Sequence, residues 1–399
     1  MRRFSRICLT ALLALGCTGA AMTGCGQPEQ TDFALSAELT ETLIADSLVS
    51  TGNTNRLHRV FERAQAGEDI TIAYVGGSIT EGFEVGARSP ECFASLSAAD
   101  FQTNYCSGGT VTCQNNGFSG TSSAIGCLRA ESAVLASEPD IILIEYAVND
   151  GSDSLYQIAY ESLVRTCLEA PNAPAVILLF TYMEQGHTRQ EQQQAIGEYY
   201  DLGMISVRDA IAEPLSDGTM RWRAYGTDDM HPSAEGHRLL ADMIANYFQA
   251  AKAKTPDQAY TLPAESLHTD LFRNGKCCDA SNTPCRVGSW ETGSHNNTFS
   301  EGFTHQKDSG NDPLVMDVTG RKLFLIYKQY SDPTWGIAEV YVNGALAGMV
   351  AANSPNRYGT PAIELIHEYD TVQEMHVEIK MLDDHAKKSF EVLALGVCE

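Results

Sequence analysis

Short apolar segments alternate with helical patterns through the first two thirds of the chain. The clearest apolar segment, residues 141–147, contains a single charged residue, as expected for a strand covered on both faces. Helical patterns at 155–168 and 189–199 separate it from further apolar segments at 175–181 and 204–207. An alternation of this kind predicts right-handed crossovers and a parallel sheet with helices on both faces. We therefore predict a three-layer α/β domain.

The region begins with a helical pattern from Leu39 to Ala66, which Gly67 ends. The apolar segment Ile70–Val75 then predicts an interior strand, and the Gly76-Gly77 pair after it permits a sharp turn. Ser78 follows this turn at the carboxyl end of the strand, beside the backbone N–H groups of a predicted helix start. Ser78 is therefore a candidate nucleophile. The alternative is a turn with no catalytic role.

A second candidate group stands just before a predicted helix. Pro232 suits the first turn of that helix, which places His231 at its start. Asp228 precedes His231 by three residues, and a carboxylate at this spacing can hold one ring nitrogen while the other accepts a proton. Asp229 is the alternative partner, and a capped helix with a surface histidine is the alternative without catalysis. His237, on the helix itself, is interpreted as a packing residue.

Two more loops follow predicted strands. Gly120 comes after the strand predicted at 111–116, and Asn149 comes after the strongest apolar segment. Loops that leave the carboxyl ends of parallel strands emerge on one side of the sheet. We therefore expect these two loops to meet the Ser78 loop and the His231 loop.

The order and spacing of the four loops resemble the sequence blocks of the SGNH hydrolases, the GDSL esterase superfamily. This resemblance implies a flavodoxin-like sheet and a serine esterase. It implies that Ser78 is the nucleophile, that His231 is the general base and that Asp228 orients His231. It also implies an oxyanion hole formed by Ser78, Gly120 and Asn149.

The resemblance covers residues 54–250 and departs from the usual pattern at two positions. Gly77 stands where the family usually has Asp, and Ala147 stands where it usually has Gly. The Gly-Gly-Ser variant is similar to that of bacterial polysaccharide esterases in this superfamily. Neither departure removes a reacting group, so we interpret both as marks of a subfamily.

The implied reaction is hydrolysis of an acyl ester, with an acetylated polysaccharide or a small ester as substrate. An acyltransferase that passes the acyl group to a glycan hydroxyl would use the same residues. A surface protein that only binds glycan is a further alternative, but the complete set of Ser, Gly, Asn, Asp and His favours an enzyme. No cofactor is expected.

The first 24 residues have the pattern of an export signal, with three arginines before an apolar run too short to span a bilayer. The segment Met22-Thr23-Gly24-Cys25 resembles the lipobox of bacterial lipoproteins, in which the cysteine is lipidated. Cys17 is a poorer candidate, and a plain secretory signal is the alternative. We therefore expect an extracytoplasmic protein anchored to the bacterial cell membrane through Cys25, with residues 25–38 as a tether.

The chain is strongly acidic, with 51 Asp and Glu against 27 Lys and Arg and a net charge of −24. Removing the signal takes away three arginines and no acidic residue, which moves the net charge to −27. A surface of this sign repels nucleic acid and anionic lipid headgroups, so no nucleic-acid partner is expected. Neutral sugars and small esters fit it better.

Nine cysteines follow Cys25, and disulfides are expected among some of them in an exported protein. An odd number leaves at least one cysteine free or paired between chains. Their spacing lacks the doubled pairs of a zinc site, so no metal site is predicted. They are Cys92, Cys106, Cys113, Cys127, Cys167, Cys277, Cys278, Cys285 and Cys398.

After the hydrolase region, predicted at 39–254, the pattern changes. Residues 255–266 have the composition of a linker, and residues 267–399 contain short alternating segments with a hairpin signal at Asn343-Gly344. These features predict an all-β sandwich that resembles the jelly-roll accessory domains of carbohydrate esterases. A module that only packs on the hydrolase is the alternative. Three aromatic residues are candidates for stacking on sugar rings: Trp290, Tyr330 and Trp335.

Overall fold

The structure is a computed structural model and describes residues 34–296, 298–355 and 357–399. The predicted signal peptide, Cys25 and most of the predicted tether lie outside the described residues. The first described helix begins at Ala37, within the predicted tether. None of the described helices is both long and apolar enough to cross a membrane.

The first domain is built on a six-stranded sheet. Its strands are β1 Leu48–Ser50, β2 Ile70–Gly76, β3 Val111–Gly117, β4 Ile141–Glu145, β5 Ala175–Phe180 and β6 Gly203–Ser206. They lie in the order β1-β6-β5-β4-β2-β3. All neighbours pair in parallel except β1, which lies antiparallel to β6 at the edge. The parallel strands have the flavodoxin-like order, in which the direction of winding reverses between β2 and β4. The predicted fold class is confirmed.

Helices cover both faces of this sheet. They are α1 Ala37–Asp46, α2 Asn55–Gln65, α3 Ser78–Glu81, α4 Phe93–Tyr105, α5 Ser123–Arg129, α6 Ser154–Glu169, α7 Gln190–Tyr199, α8 Val207–Asp217 and α9 Ala234–Ala253. Successive residues of β2 face opposite cores, as strand geometry requires. Ile72 and Tyr74 belong to the core beneath α2, α4 and α9, whereas Ala73 and Val75 belong to the core beneath α5 and α6.

The single helix predicted from Leu39 to Ala66 is wrong. Helix α1 ends at Asp46, β1 follows, and α2 begins only at Asn55. Gly52, between β1 and α2, has a φ of +54°, and a Cβ on it would collide with the backbone of Leu202. Pairing of β1 with β6 therefore overrides a helical pattern that is continuous in the sequence.

The second domain is all β, as predicted. Its strands are β7 Lys276–Cys278, β8 Cys285–Arg286, β9 Glu291–Thr292, β10 Phe303–His305, β11 Leu314–Tyr330, β12 Ile337–Val342, β13 Ala345–Ala351, β14 Tyr358–Met381 and β15 Phe390–Cys398. Their pairings are antiparallel. The predicted hairpin turn joins β12 to β13, with φ of +51° at Asn343 and +81° at Gly344. The long strands β11 and β14 run side by side through the domain.

The two domains share a hydrophobic core. Leu128 of α5 lies in the same buried cluster as Phe272, Phe324 and Leu393 of the C-terminal part. A Cβ added to Gly396 would lie 2.5 Å from Leu128 Cδ1, so this glycine lets β15 approach α5 closely. The rings of Phe272 and Phe324 stack with centroids 4.7 Å apart. Residues 35–399 accordingly form one compact unit.

The segment predicted as a linker, 255–266, is bound to the first domain. Asp257 accepts hydrogen bonds of 2.9 Å from the backbone N–H and the hydroxyl of Thr54. The Tyr260 hydroxyl donates to the Tyr200 carbonyl at 3.0 Å. The segment therefore connects the domains without leaving the surface of the first.

One of the three expectations about exposed aromatic side chains is corrected. Trp290 is only 3% exposed and packs edge-on against His305 and Phe390, so its predicted role in stacking on sugar is wrong. Tyr330 and Trp335 remain partly exposed and stack on each other with centroids 5.8 Å apart. The structure brings this pair together at the end of β11.

The nine cysteines are all free thiols in the part of the chain that the structure describes, so the expected disulfides are absent there. Cys127, Cys167 and Cys398 are buried in the core that the two domains share. Burial raises the pKa of Cys167 to about 12, so that thiol stays protonated. These cysteines behave as small apolar side chains.

Candidate active site

The predicted nucleophile lies at the point where the winding of the sheet reverses. Strand β2 ends at Gly76, and Ser78 begins the four-residue helix α3. The Ser78 side chain is nearly buried, at 6% exposure, and its Oγ lies 2.9 Å from Nε2 of His231. Residues 153 positions apart in sequence are therefore in hydrogen-bond contact.

Asp228 holds the other side of the imidazole. Its Oδ2 lies 2.7 Å from His231 Nδ1, and its Oδ1 accepts hydrogen bonds from the backbone N–H groups of Met230 at 2.8 Å and His231 at 2.6 Å. Burial tends to raise the pKa of Asp228, but the hydrogen bonds from His231 and Met230 outweigh it and hold the pKa below its usual value. Asp229 instead accepts from Gln185 at 3.1 Å, so the geometry favours Asp228 as the partner.

The helix after His231 starts later than predicted. Ser233 is its N-cap, with its hydroxyl accepting from the Gly236 N–H at 3.2 Å, and Pro232 precedes the cap. His237 lies on this helix, stacks on Phe93 and accepts from the Phe93 N–H at 3.2 Å. Burial lowers the pKa of His237 to about 4, so its ring is neutral and links α9 to α4.

Asn149 packs directly against the turn that precedes Ser78. A Cβ added to Gly77 would lie 2.6 Å from Asn149 Nδ2 and 2.7 Å from Asn149 Cγ, well inside van der Waals contact. Asn149 Oδ1 is buried and has no hydrogen-bond partner among the described residues. In this chain a side chain at position 77 would occupy the space that the Asn149 amide fills.

The loop that carries Gly120 is hydrogen-bonded to helix α3 and to the end of β2. Ser119 donates to the Glu81 carboxylate from its backbone N–H at 2.9 Å and from its hydroxyl, and Phe118 N–H donates to the Gly76 carbonyl at 3.0 Å. Gly120 itself has a φ of +75°, which favours glycine. The structure therefore brings the loop that carries Gly120, like the Asn149 side chain, against the segment that carries Ser78.

Glu145, at the end of β4, binds residues beside the candidate site, and the sequence analysis gave it no role. It is 1% exposed and accepts from the hydroxyls of Thr80 at 2.8 Å and Thr181 at 2.7 Å. Burial raises its pKa, and the hydrogen bonds from both threonines and from the backbone of Gly77 oppose that change. A lone charge inside the apolar strand was the available signal.

Asp150 is a second buried carboxylate that the sequence reasoning missed. It accepts from the Ser123 backbone N–H at 2.8 Å and from Gln193 Nε2 at 3.1 Å. Burial raises its pKa to about 7, against the opposing hydrogen bonds from Ser123 and Gln193. Because Asp150 follows Asn149 and Ser123 begins the helix after Gly120, the contact joins the two loops that carry the predicted oxyanion donors.

The second domain reaches the site. A Cβ on Gly120 would lie 3.2 Å from Thr360 Cγ2 and 3.3 Å from Pro361 Cδ, both on strand β14. Thr360 Oγ1 is buried and has no partner among the described residues. The all-β domain therefore forms part of the wall beside the Gly120 loop, a contact between distant segments that no local pattern signals.

One group of side chains has the composition of a metal site. Glu84, Asp228 and His231 place possible ligand atoms within 4.8 Å of one another. Two of the three are already hydrogen-bonded to each other, and Glu84 is exposed. A cation held there would compete with the contact between Asp228 and His231, so the donor set fits a proton-transfer pair better than a resident metal.

Comparison with known proteins places this site in a family. Residues 74–239 match the model of the GDSL-like Lipase/Acylhydrolase family. No curated protein sequence matches the chain.

Two solved structures are similar over both domains. A two-domain esterase (CEX) active on acetylated mannans is 26% identical with a TM-score of 0.80, covering 89% of this chain and 98% of that chain. Its structure co-crystallized with mannopentaose is 25% identical with a TM-score of 0.79, covering 89% of this chain and 97% of that chain. Residues 74–239 therefore belong to the GDSL-like lipase/acylhydrolase family, and the chain carries an SGNH-type carboxylic ester hydrolase domain joined to an all-β domain.

Proposed function

We propose that this protein is a serine esterase that removes acetyl groups from a polysaccharide, with Ser78, His231 and Asp228 as its catalytic residues. The observation that carries the proposal is the hydrogen-bonded series from Ser78 Oγ to His231 Nε2 and from His231 Nδ1 to Asp228 Oδ2. The substrate class is supported by the similarity, over both domains, to an esterase active on acetylated mannans.

The first half of the reaction forms an acyl-enzyme. Ser78 Oγ attacks the ester carbonyl while His231 Nε2 takes the hydroxyl proton, and Asp228 stabilises the resulting imidazolium. The tetrahedral intermediate then collapses. His231 gives its proton to the sugar oxygen, which leaves as a hydroxyl group.

The oxyanion of each tetrahedral intermediate needs hydrogen-bond donors. The backbone N–H groups of Ser78 and Gly120 and the side-chain amide of Asn149 are proposed for this role. This assignment is supported by two contacts that hold the three loops together: Asn149 packs on Gly77, and Ser119 is hydrogen-bonded to Glu81. One such donor typically contributes about 3 kcal/mol to transition-state stabilisation.

The second half of the reaction releases the acid. His231 removes a proton from a water molecule, which attacks the acyl carbon, and the Ser78 hydroxyl leaves with the proton from His231. An acyltransferase would present a glycan hydroxyl in place of this water.

The location is part of the proposal and rests on the sequence. The arginines before an apolar run and the Met22-Thr23-Gly24-Cys25 segment support export and lipidation at Cys25. Expressed in a lipoprotein-processing bacterium, the full chain is expected in the membrane fraction and Cys25→Ser in the soluble or secreted fraction. Equal distribution of both would contradict the anchor.

The reaction is tested with the soluble chain lacking residues 1–25 and an acetylated mannan. Free acetate is measured with and without an unacetylated oligosaccharide as acceptor, and Ser78→Ala serves as the matched control. We expect acetate at a rate that depends on Ser78 and not on the acceptor. Acetylated acceptor with little free acetate would show a transferase, and absence of both products would refute the proposed activity.

A further inference from the structure

An exposed aromatic ring lies directly beside the candidate catalytic histidine. Phe83 is 55% exposed, and its ring centroid lies 4.7 Å from that of His231 with the planes tilted by 34°. One face of the ring therefore contacts the imidazole, while much of the ring remains in solvent. An exposed aromatic ring in contact with the candidate catalytic imidazole is a candidate contact for a substrate.

The backbone fixes this ring relative to the nucleophile. The Phe83 N–H donates to the carbonyl of Ser78 at 3.1 Å. Gly82, between helix α3 and Phe83, has a φ of +90° and ends that helix. Phe83 is thus carried on the same short turn as Ser78, and its distance from the reacting hydroxyl does not depend on a long loop.

A carboxylate, that of Glu84, lies near the same imidazole. Glu84 is exposed, and one of its oxygens lies within 4.8 Å of a ring nitrogen of His231 and of a carboxylate oxygen of Asp228. Sugars present an apolar C–H face and a rim of hydroxyl donors. An aromatic ring can pack against the C–H face of a sugar, and a nearby carboxylate can accept hydrogen bonds from its hydroxyl groups.

The chemistry of the proposed esterase decides which part of the substrate meets this surface. His231 gives its proton to the leaving oxygen, so the sugar that carries this oxygen must lie beside the imidazole. The proposed oxyanion donors, Gly120 and Asn149, lie on other loops. We propose that the sugar ring bearing the scissile ester stacks on Phe83, an inference that rests on the proposed function. Glu84 then accepts hydrogen bonds from the neighbouring hydroxyl groups of that sugar.

A different role for the ring would be to hold the imidazole in place. The two roles differ in how they depend on the leaving group. A platform for sugar matters only when the leaving group is a sugar, whereas support of His231 matters equally for every ester.

The test compares two esters in wild type and in Phe83→Ala. One substrate is an acetylated mannooligosaccharide, and the other is ethyl acetate, whose leaving group is too small to stack. We expect the ratio of kcat/KM for the sugar ester to kcat/KM for ethyl acetate to fall about tenfold in Phe83→Ala, in line with the usual strength of aromatic stacking. Phe83→Trp is expected to keep the wild-type ratio.

The control is Leu346→Ala, which removes a similarly exposed apolar side chain, 52% exposed, from the hairpin strand β13. It is expected to leave the ratio unchanged. An equal fall for both esters in Phe83→Ala would show that the ring only positions His231, and no fall for either would show that it has no role. Both results overturn the platform. Failure of the proposed function would differ, because wild type would then release acetate from neither ester.

Discussion

Gly77→Ala is expected to separate catalysis from folding. The added methyl group would lie 2.6 Å from Asn149 Nδ2 and 2.7 Å from Asn149 Cγ. Non-bonded carbon atoms are at their optimal separation at about 3.5 Å or more, so the Asn149 amide must move by about 1 Å. The end of a side chain can make that movement, and the fold therefore tolerates the substitution.

The same movement is large for a hydrogen bond to the oxyanion. Donor-to-acceptor distances fall within about 2.7–3.2 Å, so a displacement of about 1 Å removes the proposed contribution of Asn149. Losing one such donor costs about 3 kcal/mol, or about a hundredfold in kcat. The free energy of unfolding is expected to change by less than about 1.5 kcal/mol, since no buried apolar group is lost.

The assay is a double-mutant cycle on acetate release. Asn149→Ala removes the amide and leaves room for the methyl group, so Gly77→Ala should cost little more when it is added to Asn149→Ala. The expected coupling is about 3 kcal/mol. If the two losses multiply, the substitution at Gly77 acts by some route other than Asn149, and the explanation of this glycine is wrong.

Two further predictions concern the supports of the site. Burial raises the pKa of Asp150 from 3.8 to about 7, so between these pH values the folded state retains a proton that the unfolded state has lost. The free energy of unfolding should therefore fall as the pH rises from about 4 to about 7. Asp150→Asn should flatten that part of a plot of unfolding free energy against pH, and an unchanged slope would contradict this prediction. Deleting residues 267–399 should abolish hydrolysis of ethyl acetate as well as of acetylated mannan, because it uncovers Leu128 and removes Thr360 from the Gly120 loop; full turnover of ethyl acetate by the truncated chain would show an independent hydrolase domain.

The parts of the structure that depend on local pattern could be predicted. The apolar segments before Ser78 and Asn149 form β2 and β4, within a residue or two of their expected ends. The pattern of apolar residues and the turn residues that follow it determine where each strand begins and ends. The parallel arrangement then brings the loops after these strands to one edge of the sheet. The pairing of His231 with Asp228 followed from a spacing of three residues, which a tight turn can close.

The failures have a common physical cause, which is contact between segments distant in sequence. The helix predicted from Leu39 to Ala66 is interrupted because β1 pairs with β6, and a helical period carries no information about that pairing. Trp290 was expected at the surface, yet it packs against His305 and Phe390 inside the second domain. Tertiary packing overrides local preference in both cases.

The buried carboxylates show a similar limit. A single Glu in an apolar strand indicates that its charge needs partners, but the partners of Glu145 are threonines 65 and 36 residues away. The same holds for Asp150, whose partner Gln193 is 43 residues away on helix α7. Composition can therefore signal that a buried polar group exists, while only the fold identifies what satisfies it.

The central claim is that Ser78 is a nucleophile activated by His231. Its most direct test is treatment of the soluble chain with a fluorophosphonate, followed by intact mass and peptide mapping, with residual acetate release measured on the same samples. We predict one adduct per chain, located on Ser78, with activity lost in proportion to labelling and with labelling strongly slowed in His231→Ala. Complete inactivation with Ser78 unmodified, or near-wild-type acetate release by Ser78→Ala, would contradict the account.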